Sequence, residues 1–341
     1  TPNVRFDFLS ISGNYAMGSH HAADGKKGGE TLEYAGQIRV FERNKDGEWV
    51  DYGLLAGSGE KAASRFGANV SISGEWAAVS DNREVFLYKR ESPGVWEKQN
   101  FQLEEDTNPN YMKAVRLEGN HLLVAFSGKP TQMYELNGET WSKNGEIAPT
   151  YPSYVTGWQS MSNDDLLILT STGEATTYEF EGGRWQENGE IQNPLYDEGI
   201  LGSFLYKYIK TARFQISGDY AVVVNTYYKG NEGEKNIKIG EIFERQDGGW
   251  ESTGTDILLE ENPNGIWTIE MTENHIYLLI ASGDADQDYY RYIQVYDKKE
   301  EPDNSGRFIW EKGAKVTDKE FDYRFYDIAV DGTSLMVTGP V

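Results

Sequence analysis

One motif recurs along this chain and limits what it can fold into: a short alternating strand, a two-residue turn and a return strand. Its clearest copy is Phe66-Gly67-Ala68-Asn69-Val70-Ser71-Ile72-Ser73-Gly74-Glu75-Trp76-Ala77-Ala78-Val79. Val70 and Ile72 alternate with Ser71 and Ser73, which predicts a strand with one buried face. Gly74-Glu75 reads as a tight hairpin turn, because glycine accepts the positive φ such turns need. Ile11-Ser12-Gly13-Asn14-Tyr15-Ala16 and Ile216-Ser217-Gly218-Asp219-Tyr220-Ala221 are near copies. Weaker copies lead with Leu117, Met161, Met271 and Val330. From residue 11 through 72, 117, 161, 216, 271 and 330 the lead residues are 61, 45, 44, 55, 55 and 59 apart.

Each hairpin is followed by a third strand and then a fourth that carries tryptophan. Val40-Phe41-Glu42-Arg43 precedes Trp49, Leu87-Tyr88-Lys89-Arg90 precedes Trp96, and Ile242-Phe243-Glu244-Arg245 precedes Trp250. Repeats of roughly 40–50 residues with several strands each mark the blades of a β-propeller, since no blade can bury its own faces alone. The expected fold is all-β, a seven-bladed β-propeller of four-stranded antiparallel blades within a single domain spanning 1–341. The blades fall at about 4–58, 59–106, 107–148, 149–192, 193–260 and 261–316, with a partial seventh at 317–341. That seventh blade has only its first two strands here, so Ser334 to Gly339 is expected to show an open edge. Trp49, Trp96, Trp141, Trp185, Trp250 and Trp310 recur at one strand position. Packing between neighbouring blades is the expected role, because burying an aromatic is worth several surface contacts.

The pattern Phe-Gly-x-x-Val-x-Ile-Ser-Gly-x-Tyr/Trp-Ala-x-Val, then Val-Phe-Glu-Arg, then Gly-x-Trp, resembles the FG-GAP-type repeats of integrin-alpha-like β-propellers. It is also similar to the tandem propeller repeats of large secreted proteins. The resemblance covers nearly the whole chain and is strongest in the first, second and fifth repeats. Only Phe66-Gly67 keeps the Phe-Gly pair; Phe6-Asp7 and Arg213-Phe214 depart from it. Members of that family often hold calcium in an Asp-rich loop between the first two strands. Here those turns are only two or three residues, so that metal role does not carry over. The resemblance implies a seven-bladed fold and an extracellular, secreted or cell-surface protein with a binding or adhesive role.

The net charge of −23 argues against nucleic acid, which needs clustered Lys and Arg, and against anionic membrane surfaces. A large acidic surface keeps a protein soluble. With no cysteine, no disulfide supports the fold. No run of 18 or more apolar residues is present, so no membrane insertion is expected.

In a propeller the connections between second and third strands (b–c) and between blades (d–a) emerge at one end of the blades. They are expected to be the longer ones here, and function concentrates on long loops held by a rigid scaffold. Candidate ligand-binding residues there are Tyr227 and Tyr228, Tyr289 and Tyr290, Tyr206 and Tyr208, and Tyr154 with Trp158. Their apolar faces and polar tips suit sugar rings and protein hot spots. Asp284, Asp286 and Asp288 alternate like the start of a calcium loop, but Tyr289 stands where glycine usually follows. Calcium is therefore the ion to test, with no cofactor required. His20-His21 with Asp24 has metal-ligand chemistry, yet neighbouring residues on extended chain point apart. Asn69-Val70-Ser71 fits the N-glycosylation pattern inside an innermost strand and is expected to stay unmodified.

No nucleophile–base–acid order and no phosphate loop is present, so no enzyme is expected. The leading expectation is a non-catalytic extracellular binding or adhesion module that recognises protein or glycan through the b–c/d–a loops. One alternative is a structural subunit that self-associates through the incomplete blade. Another is a polysaccharide hydrolase or lyase using paired carboxylates.

Overall fold

The computed structural model describes residues 6–103, 112–126, 129–147, 159–169, 175–191, 212–225, 237–247, 249–259, 263–282, 290–302, 308–317, 325–332 and 334–339. Among these residues there is no helix. Six four-stranded antiparallel sheets follow one another along the chain. The first is β1 (Phe8–Ser12), β2 (Tyr15–His20), β5 (Gln37–Arg43) and β6 (Trp49–Leu54), with a small hairpin, β3 (Gly25–Lys27) and β4 (Glu30–Leu32), inserted after β2. The second is β7 (Asn69–Ser73), β8 (Trp76–Ser80), β9 (Val85–Ser92) and β10 (Val95–Lys98). The third is β11 (Met112–Glu118), β12 (His121–Phe126), β13 (Thr131–Asn137) and β14 (Thr140–Ile147).

The fourth sheet is β15 (Gln159–Ser162), β16 (Asp165–Leu169), β17 (Ala175–Glu181) and β18 (Arg184–Ile191). The fifth is β19 (Ala212–Ser217), β20 (Tyr220–Asn225), β21 (Ile237–Gln246) and β22 (Gly249–Leu259). The sixth is β23 (Pro263–Met271), β24 (His275–Ser282), β25 (Tyr290–Glu300) and β26 (Phe308–Val316). A two-stranded sheet, β27 (Asp327–Asp331) with β28 (Ser334–Thr338), ends the series. Every four-stranded sheet runs in sequence order, and among the described residues there are six such blades; the expected partial seventh is not formed as a blade, since β27 and β28 make only a two-stranded sheet. The chain divides into two compact units, about 1–157 with 329–339, and 158–328.

Within each unit the apolar core lies between successive blades. Met17, Ile38 and Val40 of the first blade pack on Val70, Ile72, Val79 and Tyr88 of the second. In the other unit Tyr220, Val222 and Ile242 of the fifth blade pack on Ile276, Leu278 and Tyr296 of the sixth. The repeating tryptophans fill these seams. Trp96 meets Tyr15 edge-on at 5.8 Å, Trp141 meets Trp76 at 5.6 Å, and Trp310 meets Tyr220 at 5.5 Å.

The first strands differ from the sequence reading in one respect. Ser71 was expected on an uncovered polar face, but it is buried. Its Oγ accepts the Leu117 N–H at 2.9 Å, and Ser73 Oγ accepts the Gly119 N–H at 2.9 Å. The same pair of contacts joins Ser10 to Ile72 N and Ser12 to Gly74 N, each at 3.0 Å. In the second unit Ser160 takes Ile216 N at 2.9 Å and Ser162 takes Gly218 N at 3.4 Å. In these three pairs one blade thus grips the first strand of the next through backbone donors that the receiving sheet leaves idle. Asp331, at the end of β27, accepts the Gly13 N–H and so holds the first blade in the same manner.

Glu118 takes the serine position in the third blade, where burial, reinforced by the Asp331 charge, pushes its carboxyl above the usual range. Replacing Ser71 by alanine strands the Leu117 N–H in a buried site. The expected cost is about 1–3 kcal/mol, read from denaturant midpoints. A loss under about 0.3 kcal/mol would show that the clasp contributes nothing.

Candidate functional site

The b–c and d–a connections are not uniformly long. Those at 81–84, 127–130, 170–174 and 260–262 are short, while 21–36 and 55–68 are long and described throughout. These last two pack against each other at one end of the first blade. Arg65 N donates to Tyr34 O at 3.0 Å, Ala63 N to Glu33 O at 2.8 Å, Phe66 N to Ala35 O at 3.0 Å and Gly59 N to Gly36 O at 2.7 Å. Two glycines make this approach feasible. A Cβ on Gly36, whose φ is +80°, would sit 2.1 Å from Phe66 O, and one on Gly25 would sit 2.0 Å from Gly59 O. Asp24 Oδ1 accepts the Tyr34 N–H at 3.0 Å, and the Tyr88 hydroxyl donates to Ala56 O at 2.7 Å.

Among the described residues, three of the four non-glycine residues with positive φ lie in this loop pair: Tyr34 at 51°, Ala63 at 54° and Arg65 at 54°. Left-handed backbone costs an L-residue roughly 1–2 kcal/mol, and such strain gathers at functional sites. The strain displays two side chains. Tyr34 is 51% exposed, and the exposed Arg65 guanidinium stands 6.0 Å from its ring centroid.

The second unit carries a comparable group at the same end of its sixth blade. Trp267, at a bulge in the middle of β23, is 42% exposed. The buried Arg291 guanidinium lies 3.5 Å from the Trp267 ring centroid and 5.5 Å from that of Tyr326, and it donates to Phe325 O. Each group offers a flat aromatic with a cation held against it, the combination that anchors polar and aromatic ligand groups.

Sequence reasoning selected other residues. Tyr154, Trp158, Tyr206, Tyr208, Tyr227, Tyr228 and Tyr289, with Asp284, Asp286 and Asp288, lie outside the described residues. Tyr290 starts β25 opposite Ser282; its side chain is likewise outside the description. Tyr34 and Trp267 were missed. The signal for Trp267 was present, since it falls outside the once-per-blade tryptophan series. Tyr34 had only the neighbouring Gly28-Gly29 and Gly36 as signs of an unusual loop.

The histidine cluster has structural work. His21 Nδ1 is 3.0 Å from Asp7 Oδ2 and its ring rests on Phe8 at 5.6 Å, while Asp24 holds the Tyr34 backbone. Among the described residues no group of three or more His, Asp or Glu side chains is placed to hold a metal. Asn69 Nδ2 donates to Ser80 Oγ at 3.0 Å within the β7–β8 pair.

Six successive four-stranded antiparallel blades define a β-propeller. A solved structure titled YCF48 bound to D1 peptide has this fold, with a TM-score of 0.53, 12% identity, and 99% of this chain and 90% of that chain covered. Also similar are the N-terminal domain of Nup159 (TM-score 0.49, 12% identity, 98% and 86% covered) and an S. cerevisiae complex of dbp5, nup159 and gle1 (TM-score 0.48, 12% identity, 98% and 86% covered). No family model and no curated protein matches the chain.

Proposed function

We propose that the chain is a non-catalytic protein-binding propeller, secreted or on a cell surface, that needs no cofactor and engages its ligand at the b–c/d–a end of the blades. The observation that carries the reading is the rigid loop pair that holds Tyr34 and Arg65 exposed at a backbone cost. Strain kept on an exposed aromatic is hard to explain by packing, because packing gains nothing from the exposed face. The Trp267–Arg291 stack adds a second aromatic anchor of the same chemistry. Support also comes from YCF48, a protein of similar fold whose structure is bound to the D1 peptide. The extracellular setting and the FG-GAP relationship rest on the repeat motif.

Binding to peptide and glycan arrays tests this. Tyr34→Ala with Arg65→Ala, and separately Trp267→Ala, are expected to weaken peptide capture roughly tenfold or more, as truncated hot spots do, with unchanged melting temperature. Retained capture by both variants defeats the assignment of the surface. Capture of glycans alone moves the ligand from protein to sugar.

A further inference from the structure

Among the described residues, five arginines hold a guanidinium against an aromatic ring, and four of them also close on an oxygen. Arg90 lies 4.9 Å from the Tyr15 ring centroid and donates to both oxygens of Glu42, from Nε at 3.1 and 3.2 Å and from Nη2 at 3.1 Å. Arg245 lies 5.0 Å from the Trp250 centroid and bonds Asp165. Arg43 lies 4.9 Å from that of Trp49 and donates to Ser334 Oγ at 2.8 Å. Arg291 lies 3.5 Å from that of Trp267 and donates to Phe325 O. The fifth is Arg65, 6.0 Å from the Tyr34 centroid. Among the described residues its guanidinium has neither a hydrogen-bond acceptor nor a carboxylate within ion-pair distance.

The backbone under this pair is fixed. Arg65 N donates to Tyr34 O at 3.0 Å, and Tyr34 N donates to Asp24 Oδ1 at 3.0 Å. A second cation stands beside it. Asn82 N donates to Ser64 O at 3.1 Å and Asn82 Nδ2 to Ala63 O at 3.4 Å, which ties the turn 81–84 to the loop 55–68. Buried Asp81 sets that turn, its Oδ1 accepting the N–H groups of Arg83 and Glu84 at 2.6 and 2.7 Å. Arg83 follows Asn82 and Arg65 follows Ser64, so the two arginines flank one hydrogen bond, and both are exposed. The exposed acids of these segments are Asp24, Glu30, Glu33, Glu60 and Glu84, and none forms an ion pair with either arginine. In a chain with 55 acidic and 32 basic residues, two neighbouring arginines without an acid reverse the general character of the surface.

We propose that the Tyr34–Arg65 surface selects an acidic peptide, a step that rests on the loop pair being a peptide-binding surface. A Glu or Asp of the ligand accepts from the Arg65 guanidinium, as Glu42 does from Arg90, while an aromatic residue two positions away packs on the Tyr34 ring. In an extended peptide, side chains two positions apart share a face and stand about 6.6–6.8 Å apart, close to the 6.0 Å between guanidinium and ring centroid. Adjacent side chains point to opposite faces and cannot reach both groups. Guanidinium and carboxylate match as two forks, and the facing rings add apolar contact. Arg83 supplies a second positive charge, which offsets the repulsion between an acidic ligand and a chain of net charge −23.

The probe is a set of synthetic peptides with one Glu and one Phe in a Gly-Ser frame, adjacent or two positions apart in either order, each with a matched control carrying Gln for Glu. Fluorescence polarisation on the 341-residue protein reads their binding. A two-apart Glu peptide should bind about tenfold more tightly than its Gln control and than the adjacent arrangement, the gain typical of a charge-assisted pair. Arg65→Gln should erase the preference for Glu. Arg65→Lys, which keeps the charge and loses the fork, should retain part of it, and Arg83→Gln should reduce it less than Arg65→Gln does; unchanged melting temperatures show that the variants fold. A preference that survives Arg65→Gln, or that depends more on Arg83 than on Arg65, overturns the assignment. Equal binding of Glu and Gln peptides, lost on Tyr34→Ala, overturns the acidic ligand and leaves the loop pair a peptide site. No binding of any peptide overturns both. Binding of polygalacturonate in place of the peptides, lost on Arg65→Gln, assigns the cation to sugar carboxylates and overturns the peptide ligand.

Discussion

Glu42→Ala is expected to destabilise the first unit by about 3–5 kcal/mol, the cost of breaking one side of a buried charged pair. Glu42 is 3% exposed and is surrounded by donors from the second blade. Arg90 Nε lies 3.1 and 3.2 Å from its two oxygens, and Arg90 Nη2 lies 3.1 Å from Oε2. Gly94 N donates to Oε1 at 2.9 Å and Trp96 Nε1 donates to it at 3.2 Å. Removing the carboxylate leaves a mostly buried guanidinium, a buried indole N–H and a backbone N–H without their acceptor. At roughly 2–4 °C per kcal/mol for a unit of this size, the melting point should fall by about 6–20 °C. Glu42→Gln keeps one acceptor and the shape, and should fall between wild type and alanine. A drop below about 1 kcal/mol for alanine would mean that the seam between the first two blades is held by its apolar contacts alone.

Alkali should unfold the protein well before arginine chemistry matters. Burial holds the Tyr88 hydroxyl far above its ordinary range, with the Glu60 charge adding to it, and burial does the same for Tyr220, helped by its bond to Glu244. Tyr178 is pushed up to about 12, by burial first and then by Glu187 and Glu190, and Tyr277 is raised by burial and Asp297. In the unfolded chain these phenols release their protons near pH ~10. Between pH 10 and the folded values the native state therefore binds more protons than the unfolded state, and stability falls as pH rises. The contribution is complete below pH ~10 and is lost as pH climbs through the folded values. Denaturant midpoints measured from pH 9 to 12 should decline steeply, and Tyr178→Phe should flatten the decline. A flat profile across that range would remove the buried phenols from the account.

Much of this architecture is legible in the sequence because its signals are local. Val70 and Ile72 announce an apolar strand face, Gly74 announces the turn, and Trp96 marks the fourth strand 26 residues after Val70 and 22 after Gly74. The seam chemistry is not local. Ser71 looks like a solvent-facing residue until its partner, Leu117 N, arrives from another blade. Glu42 likewise reads as one more surface acid in a chain rich in them, since nothing near it in sequence foretells Arg90 or Trp96. Tyr34 escaped notice for a different reason: a positive φ on a tyrosine leaves no trace in residue identity. The aromatic clusters at Tyr227-Tyr228 and Tyr289-Tyr290 show the opposite case, strong in composition but outside the described residues apart from the Tyr290 backbone.

The serine grip has an asymmetry with a practical outcome. One side of each contact is a chosen hydroxyl; the other is main-chain amide, which every residue but proline supplies. A module bearing the hydroxyls can therefore be followed by almost any successor, so blades could be swapped, duplicated or inserted without redesigning the joint on the receiving side. Drift in the outer strands would leave that coupling untouched, which suits an array whose members share a plan while their exposed ends diverge.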